Sequence, residues 1–200
     1  MKKSFLAISL IVGCSLFLAA CASAPTAEIT ATKAAVATAQ TDDVRTYAPD
    51  SLKAAEDELN KALAEVQTQD GKFFVSRDYK QASAGLKSAK DLAEKAASDA
   101  QANKAKAKSD AEAVLAALPQ SIEEAKKALA KAPKGKDTRA DIEAMQNDLK
   151  VAEEALTEAN TAMSSGQYKD ALTKAESAKE KTSAITEQVQ KALEKVRGRR

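Results

Sequence analysis

Apolar residues recur along most of this chain at alternating steps of three and four, and this spacing constrains the fold more than any other feature. It places them on one face of a helix, where they can pack against the same kind of face on a neighbouring helix. We call each such line of positions a seam. Four seams occur: Leu52, Ala55, Leu59, Ala62 and Val66; Tyr79, Ala82, Leu86, Ala89, Ala93, Ala96 and Ala100; Ile142, Met145, Leu149, Ala152, Leu156, Ala159 and Met163; and Tyr168, Ala171, Ala175, Ala178, Ile185, Val189, Ala192 and Val196.

The composition indicates how such helices would pack. Alanine occupies many seam positions, and aromatic residues make up only 4% of the chain. Small residues allow helices to approach closely, and Lys and Glu at most other positions favour an exposed outer face. No segment alternates between apolar and polar residues for long enough to predict a strand. We therefore predict an all-α fold, an antiparallel bundle of long helices arranged as coiled-coil-like hairpins.

Proline and glycine residues divide the chain into six predicted helices. We expect them over about residues 27–41, 51–68, 77–118, 120–132, 137–164 and 167–196. The seam positions that follow Ala100 would be Asn103, Ala107 and Asp110. Because these positions offer little apolar surface, we expect the third helix to extend into solvent or to bend here.

A short motif occurs twice, 89 residues apart. The copies are Asp78-Tyr79-Lys80-Gln81-Ala82 and Gln167-Tyr168-Lys169-Asp170-Ala171, and each opens a long predicted helix after a turn that contains glycine. We predict two related three-helix units, residues 27–97 and 119–200, joined by a helical connector over residues 98–118. The tyrosine of each copy is expected to pack across its turn with the hydroxyl at the solvent edge.

The N-terminus has the features of a secretory signal. Lys2 and Lys3 precede an uncharged apolar stretch over residues 5–18, which is shorter than the roughly 20 residues needed to span a bilayer. The stretch runs into Leu18-Ala19-Ala20-Cys21, which resembles the lipobox of bacterial lipoproteins. That resemblance implies a signal peptide over residues 1–20, a lipid on Cys21 and a short tether over residues 21–26.

Charge and residue types argue against several classes of function. The chain has 31 basic and 29 acidic residues, and removal of Lys2 and Lys3 would leave 29 of each, which does not favour nucleic-acid binding. The absence of histidine removes the commonest general base and metal ligand. Neighbouring acids such as Glu123 and Glu124 diverge on a helix. We predict no catalytic residue, no metal site and no cofactor.

Basic residues gather around the turn before the predicted fifth helix and at the C-terminus. An antiparallel pairing of the last two helices would bring both groups to one end. One interpretation is a site for an anionic envelope polymer or lipid head group. The simpler interpretation is that these cations offset the helix macrodipole near C-terminal turns. The residues are Lys131, Lys134, Lys136, Arg139, Lys195, Arg197, Arg199 and Arg200.

Part of the chain resembles a known family. The run Tyr47-Ala48-Pro49, the seam that begins at Leu52 and the motif at residues 78–82 resemble an alanine-rich helical domain of unknown function in bacterial envelope lipoproteins. The resemblance covers about residues 24–100 and, more weakly, the second unit. In some relatives this domain precedes an OmpA-like peptidoglycan-binding domain, but the sequence contains no α/β segment of that kind.

These features lead to an expected function. We expect a non-catalytic scaffold or interaction lipoprotein that faces the periplasm, with the membrane as partner through Cys21 and with peptidoglycan or other envelope proteins as further partners. Ala22 stands where enteric lipoproteins retained in the inner membrane have Asp, so the resemblance favours the outer membrane. A periplasmic chaperone and a non-covalent cell-wall binding protein are the open alternatives, and an oligomer is compatible with the sequence.

Overall fold

The computed structural model describes residues 23–135 and 138–198, and within these residues it contains six α-helices and no strand. The all-α prediction is therefore confirmed. A single turn of 3₁₀ helix, Phe74–Ser76, lies between the third and fourth helices. The helices are α1 (Thr26–Ala39), α2 (Asp42–Tyr47), α3 (Pro49–Asp70), α4 (Lys80–Ala130), α5 (Arg139–Ser164) and α6 (Tyr168–Arg197).

The chain divides after Asn103 into two compact units. The first contains α1, α2, α3 and the beginning of α4, and the second contains the rest of α4 with α5 and α6. The division falls within residues 98–118, the segment that the sequence analysis assigns to a connector. Each unit has hydrophobic clusters of its own.

In the first unit, α1, α3 and α4 alternate in direction. Ser51 at the start of α3 donates a hydrogen bond of 2.7 Å to Asp99, far along α4, so these two helices are antiparallel. Thr32 of α1 donates to the backbone carbonyl of Leu86 at 3.2 Å, near the start of α4. Each predicted seam position of α3 and α4 from Leu52 to Ala100 is buried, which confirms the packing predicted for these helices.

Small residues bring α3 and α4 close together. A Cβ atom built on Gly85 would lie 3.0 Å from the Cβ of Ala62, closer than such atoms normally approach. Ala82, Leu86 and Ala89 continue the same buried face. A larger residue at position 85 would push the helices apart, so glycine at this point in the helix serves the close approach of its neighbour.

Helix α2 was not predicted from the sequence. Thr41 caps it by accepting a hydrogen bond of 3.3 Å from the backbone N–H of Val44, the arrangement expected of a helix N-cap. Val44 is buried in the core of the first unit. Six residues are too few to display the spacing on which the other helices were predicted.

In the second unit, α4, α5 and α6 also alternate in direction. Lys174 and Lys181 of α6 bind Glu158 and Asp148 of α5 at 2.6 and 2.8 Å, and the reversed order of these partners makes the two helices antiparallel. The core is built chiefly from small and branched residues. Its buried members are Ala111, Leu118, Ile122, Ala125, Ala132, Met145, Ala152, Ala159, Ala162, Ala171, Ala175, Ala178, Ile185 and Val189.

The predicted helix break at Pro119 is wrong. Helix α4 continues through this residue for 51 residues in all, so the third and fourth predicted helices are one. Proline inside a helix costs about 3 kcal/mol because it lacks an N–H and crowds the preceding turn. Leu118 and Ile122 on either side are buried in one cluster, and burial of each such side chain contributes about 1.5–3 kcal/mol. The proline itself lies on the exposed face.

The predicted seam also changes its spacing in the middle of α4. Asn103 is exposed and donates a hydrogen bond of 2.8 Å to the backbone carbonyl of Tyr47 instead of entering the core. The next buried position is Ala111, eleven residues after Ala100. Eleven residues complete three turns, so this spacing keeps both alanines on nearly the same line of a straight helix. Asn103 and Asp110 therefore stay outside the core, in agreement with the little apolar surface that the sequence offers between Ala100 and Asp110.

A glycine makes the turn from α5 to α6. Gly166 has a φ of +77°, a left-handed conformation that glycine adopts without steric cost. Its N–H donates to Met163 at 3.2 Å, and the N–H of Gln167 donates to Ala162 at 2.9 Å. This is the Schellman pattern, which satisfies carbonyl groups at a helix end and reverses the chain in few residues.

Candidate functional site

The predicted lipid site can be located only through its neighbours. Cys21 and the motif Leu18, Ala19 and Ala20 lie outside the described residues. Ala24, three residues after the cysteine, packs against Val66 and Tyr79 of the first unit. The described part of the chain begins at Ser23, and Ala24 lies at the end of the first unit where α3 turns into α4. No helix among the described residues has the length and hydropathy required to cross a bilayer.

Polar side chains hold the turn between α3 and α4 in one conformation. Gln69 is buried, and its side-chain oxygen accepts a hydrogen bond of 3.0 Å from the N–H of Asp78. Arg77 donates to the backbone carbonyls of Asp70 and Lys72, at 2.8 and 3.0 Å. These bonds join the two ends of the turn, so its backbone is tied to both helices.

The two copies of the repeated motif place their tyrosines differently. Tyr79 is buried against Val66, and its hydroxyl donates a hydrogen bond to the carboxylate of Asp70. That bond raises the pKa of Tyr79, because ionisation would break it and set two negative charges side by side. Tyr168 is half-buried instead, and the ammonium group of Lys108 lies 5.8 Å from the centre of its ring.

The same turn exposes three large apolar side chains in succession. Phe73, Phe74 and Val75 are 70%, 58% and 71% exposed, and the two aromatic rings contact each other with centres 4.8 Å apart. The sequence analysis did not single out these residues, since they belong to no seam. A usable signal was present, because they include the only phenylalanines outside the apolar stretch of the predicted signal peptide.

The predicted basic cluster lies at one end of the second unit. Ala132, Met145 and Val189 share a hydrophobic cluster, so the end of α4, the beginning of α5 and the end of α6 are neighbours there, as predicted. The described cations Lys131, Lys134, Arg139, Lys195 and Arg197 are all exposed. The other three, Lys136, Arg199 and Arg200, lie outside the described residues.

The contacts of these cations are those of ordinary surface groups. Arg139 forms an ion pair of 3.1 Å with Glu143, one turn further along α5. Lys195 and Arg197 lie in the last turn of α6, where a positive charge interacts favourably with the carbonyl end of the helix dipole. The structure thus brings the described members of the two basic groups to one end, where Arg139 is paired with Glu143 and where Lys195 and Arg197 suit the C-terminus of α6.

Elsewhere the perturbed ionisable groups are members of surface pairs. The pKa of Asp99 is lowered by hydrogen bonds from Lys95 and Ser51. The pKa of Lys126 is raised by its hydrogen bonds to Glu153 and Glu123, and the bond to Glu153 links α4 to α5. Within the described part of the chain, no group of three potential ligand side chains could hold a metal ion. The bonds of Ser51 to Asp99 and of Lys126 to Glu153 connect helices, whereas the other pairs named here lie within α4.

Comparison with known proteins returns no match, whether to family models, curated proteins or solved structures. The resemblance to the alanine-rich domain of envelope lipoproteins therefore stays a prediction. The function must be inferred from the residues of this chain and from their geometry.

Proposed function

We propose that this protein is a non-catalytic lipoprotein of the bacterial envelope, anchored by a lipid on Cys21. It acts as a helical scaffold on the periplasmic side, and the membrane that holds it is the outer membrane. The observation that carries the proposal is the packing of Ala24 into the first unit. Only Ala22 and Ser23 separate it from the cysteine. A lipid on Cys21 would therefore hold the folded bundle directly at the bilayer surface.

The construction of the two units supports a binding or spacing role. Most of the fully buried positions are alanines, and all buried side-chain polar atoms of the described residues have partners. Outward positions carry ion pairs such as Lys53 with Asp57 at 2.6 Å. Each unit thus has a well-packed core and a polar outer surface. Such a surface is better suited to contacts with other envelope components than to catalysis.

A chaperone that holds unfolded chains is the second candidate. It is favoured by a shallow groove between α1 and α4, lined by Ala31 and Ala84 and bordered by Lys87 and Lys90. An apolar floor with a charged rim could receive a short apolar segment. A holdase should suppress aggregation of an unfolded client at near-equal amounts, whereas a scaffold should have no effect even in clear excess.

Changing Cys21→Ser tests the anchor. We expect the variant to lose labelling by radioactive palmitate, to accumulate as the uncleaved precursor, and to lose the membrane fractionation of the mature form. The wild-type chain and an Ala22→Ser variant, which keeps the cysteine, are the controls. If the Cys21→Ser chain is processed and fractionates as the wild type does, the protein is not a lipoprotein. If the variant instead loses its anchor as expected, crosslinking in cells would identify the partner of the anchored wild-type protein.

A further inference from the structure

Three consecutive apolar residues at the tip of the first unit call for an explanation. We call Phe73, Phe74 and Val75 the apolar turn. Single exposed apolar residues are normal on protein surfaces, but two aromatic rings in contact with an adjoining valine form a continuous patch. The chain has few other aromatic residues, so two adjacent phenylalanines in an exposed turn suggest that this patch has a function.

The apolar turn is displayed on an ordered backbone. Ser76 donates from its backbone N–H and from its hydroxyl to the carbonyl of Phe73, both at 2.9 Å. Arg77 and Gln69 tie the flanking residues to α3. With the backbone held by these bonds, the three apolar side chains are exposed to solvent.

The apolar turn lies at the end of the bundle from which the anchor would emerge. Ser23, Ala24 and Pro25 line the same shallow depression as Asp78 and Tyr79, which follow the turn directly. Cys21 precedes Ser23 by two residues, and two residues span at most about 7 Å. A lipid on that cysteine would therefore enter the bilayer beside the apolar turn.

We propose that the apolar turn inserts into the interface of the bilayer that holds the lipid of Cys21, and so fixes the orientation of the first unit on the membrane. The inference rests on the proposed anchor. Aromatic side chains favour the headgroup level of a bilayer, and apolar area adjoining cations is attracted to membranes that contain anionic lipids.

The charges around the turn suit a phospholipid surface. Lys72, Arg77 and Lys80 flank the three apolar residues. Of the acids next to the turn in sequence, Asp70 accepts the hydroxyl of Tyr79, and Asp78 accepts the N–H of Lys80 at 3.0 Å. A third acid, Glu28, lines the adjoining depression. The cations thus flank the rings and would meet the phosphate groups when the rings lie at the boundary between the headgroups and the acyl chains.

A single tryptophan can report this insertion, because the sequence contains none. The Phe74→Trp variant, purified as the complete mature lipoprotein, is reconstituted in vesicles of phosphatidylethanolamine with a minor fraction of phosphatidylglycerol. The matched control is Val151→Trp, at an exposed apolar position of α5. We expect blue-shifted emission, quenching by brominated acyl chains and loss of acrylamide quenching for Phe74→Trp only.

The outcomes separate this inference from the anchor. If the protein does not float with the vesicles, the anchor proposal fails. If it floats but the tryptophan at position 74 is as accessible to acrylamide as that at position 151, only the apolar-turn inference is overturned. A blue shift that appears without vesicles as the protein concentration rises would assign the patch to a second copy of the chain, which also overturns it.

Discussion

At the scale of single residues, equal positions in a sequence pattern differ in how deeply they are buried. Along the seam of α5, Met145, Ala152 and Ala159 are buried, whereas Leu149 and Leu156 are half-buried and pack at the edge of the core. Small residues on the line of closest approach draw the helices together, so larger neighbours are displaced to the flank. The spacing identifies the helix face but not the depth of each residue within it.

The burial of a leucine side chain should determine how much its replacement by alanine lowers the free energy of unfolding. Leu118 is fully buried, so Leu118→Ala should lower the free energy of unfolding by about 3–5 kcal/mol, through lost burial and the cavity left behind. Leu149→Ala should cost about 1–2 kcal/mol, because part of its surface already contacts water. Urea unfolding followed by circular dichroism measures both. Glu154→Ala, at an exposed position of α5, is the control and should change little; equal costs for the two leucines would contradict the packing described.

At the scale of helices, the long seams were predictable and the exceptions were not. The faces of α3 and α4 in the first unit follow directly from spacing, because a repeated step leaves little freedom in which side points inward. Pro119 misled the prediction because the rule that proline ends a helix is local, while the burial of Leu118 and Ile122 that opposes it depends on two other helices. Helix α2 and the seam change near Ala111 likewise depend on contacts with distant residues.

Some candidate sites could likewise be predicted from the sequence, and others could not. Cys21 and the two basic groups were found from motifs and charge, which can be recognised without a fold. The apolar turn was missed because a turn has no periodicity, and only the structure shows that Phe73 and Phe74 are directed outward. That Ala24 lies beside the same turn is a consequence of how α1 packs, which no local pattern encodes.

The proline within α4 should lower the free energy of unfolding relative to alanine at the same position. Pro119→Ala restores a backbone N–H that can bond to the carbonyl one turn earlier, and it replaces the poorest helix former by the best. Because the ring is exposed, little packing is lost. We expect the free energy of unfolding to rise by about 1–3 kcal/mol in urea titrations. Pro49→Ala, at the first position of α3 where proline is well tolerated, should have little effect. A loss of stability for Pro119→Ala would mean that the helix requires the proline.

At the scale of the whole molecule, the two units share one plan and differ in charge at their ends. Each packs three helices of alternating direction around an alanine-rich core, and the first unit contains the short α2 in addition. The balance of 29 basic and 29 acidic residues expected after signal removal hides a basic end on the second unit. There α4 and α6 both terminate, and Lys131 and Arg197 lie close to their last carbonyl groups.

That placement makes helix stabilisation the expected role of the basic end. Two parallel helices concentrate negative partial charge where they terminate together, and the N-terminus of α5 at the same end offsets only part of it. Cations in or just after the last turn offset more, by up to about 0.3–1 kcal/mol each at low ionic strength. A variant with Lys131, Lys134, Arg197, Arg199 and Arg200 changed to Gln should therefore unfold at a lower urea concentration in low salt. The difference should shrink near 0.15 M salt, where the screening length is about 8 Å.

Pelleting with purified cell-wall sacculi distinguishes this role from anion binding. If the cations serve the helix ends, the wild-type chain and the Gln variant should behave alike, because exposed single contacts contribute only about 0–1 kcal/mol each and do not form a site. A second variant with Lys53, Lys61, Lys87, Lys90 and Lys95 changed to Gln removes the same charge from the first unit and controls for net charge. Salt-dependent pelleting of the wild type that disappears in the variant of the basic end, but persists in this control, would instead make that end a site for an anionic polymer. The protein would then be a cell-wall binding lipoprotein, with its anchor on the first unit and its wall contact on the second.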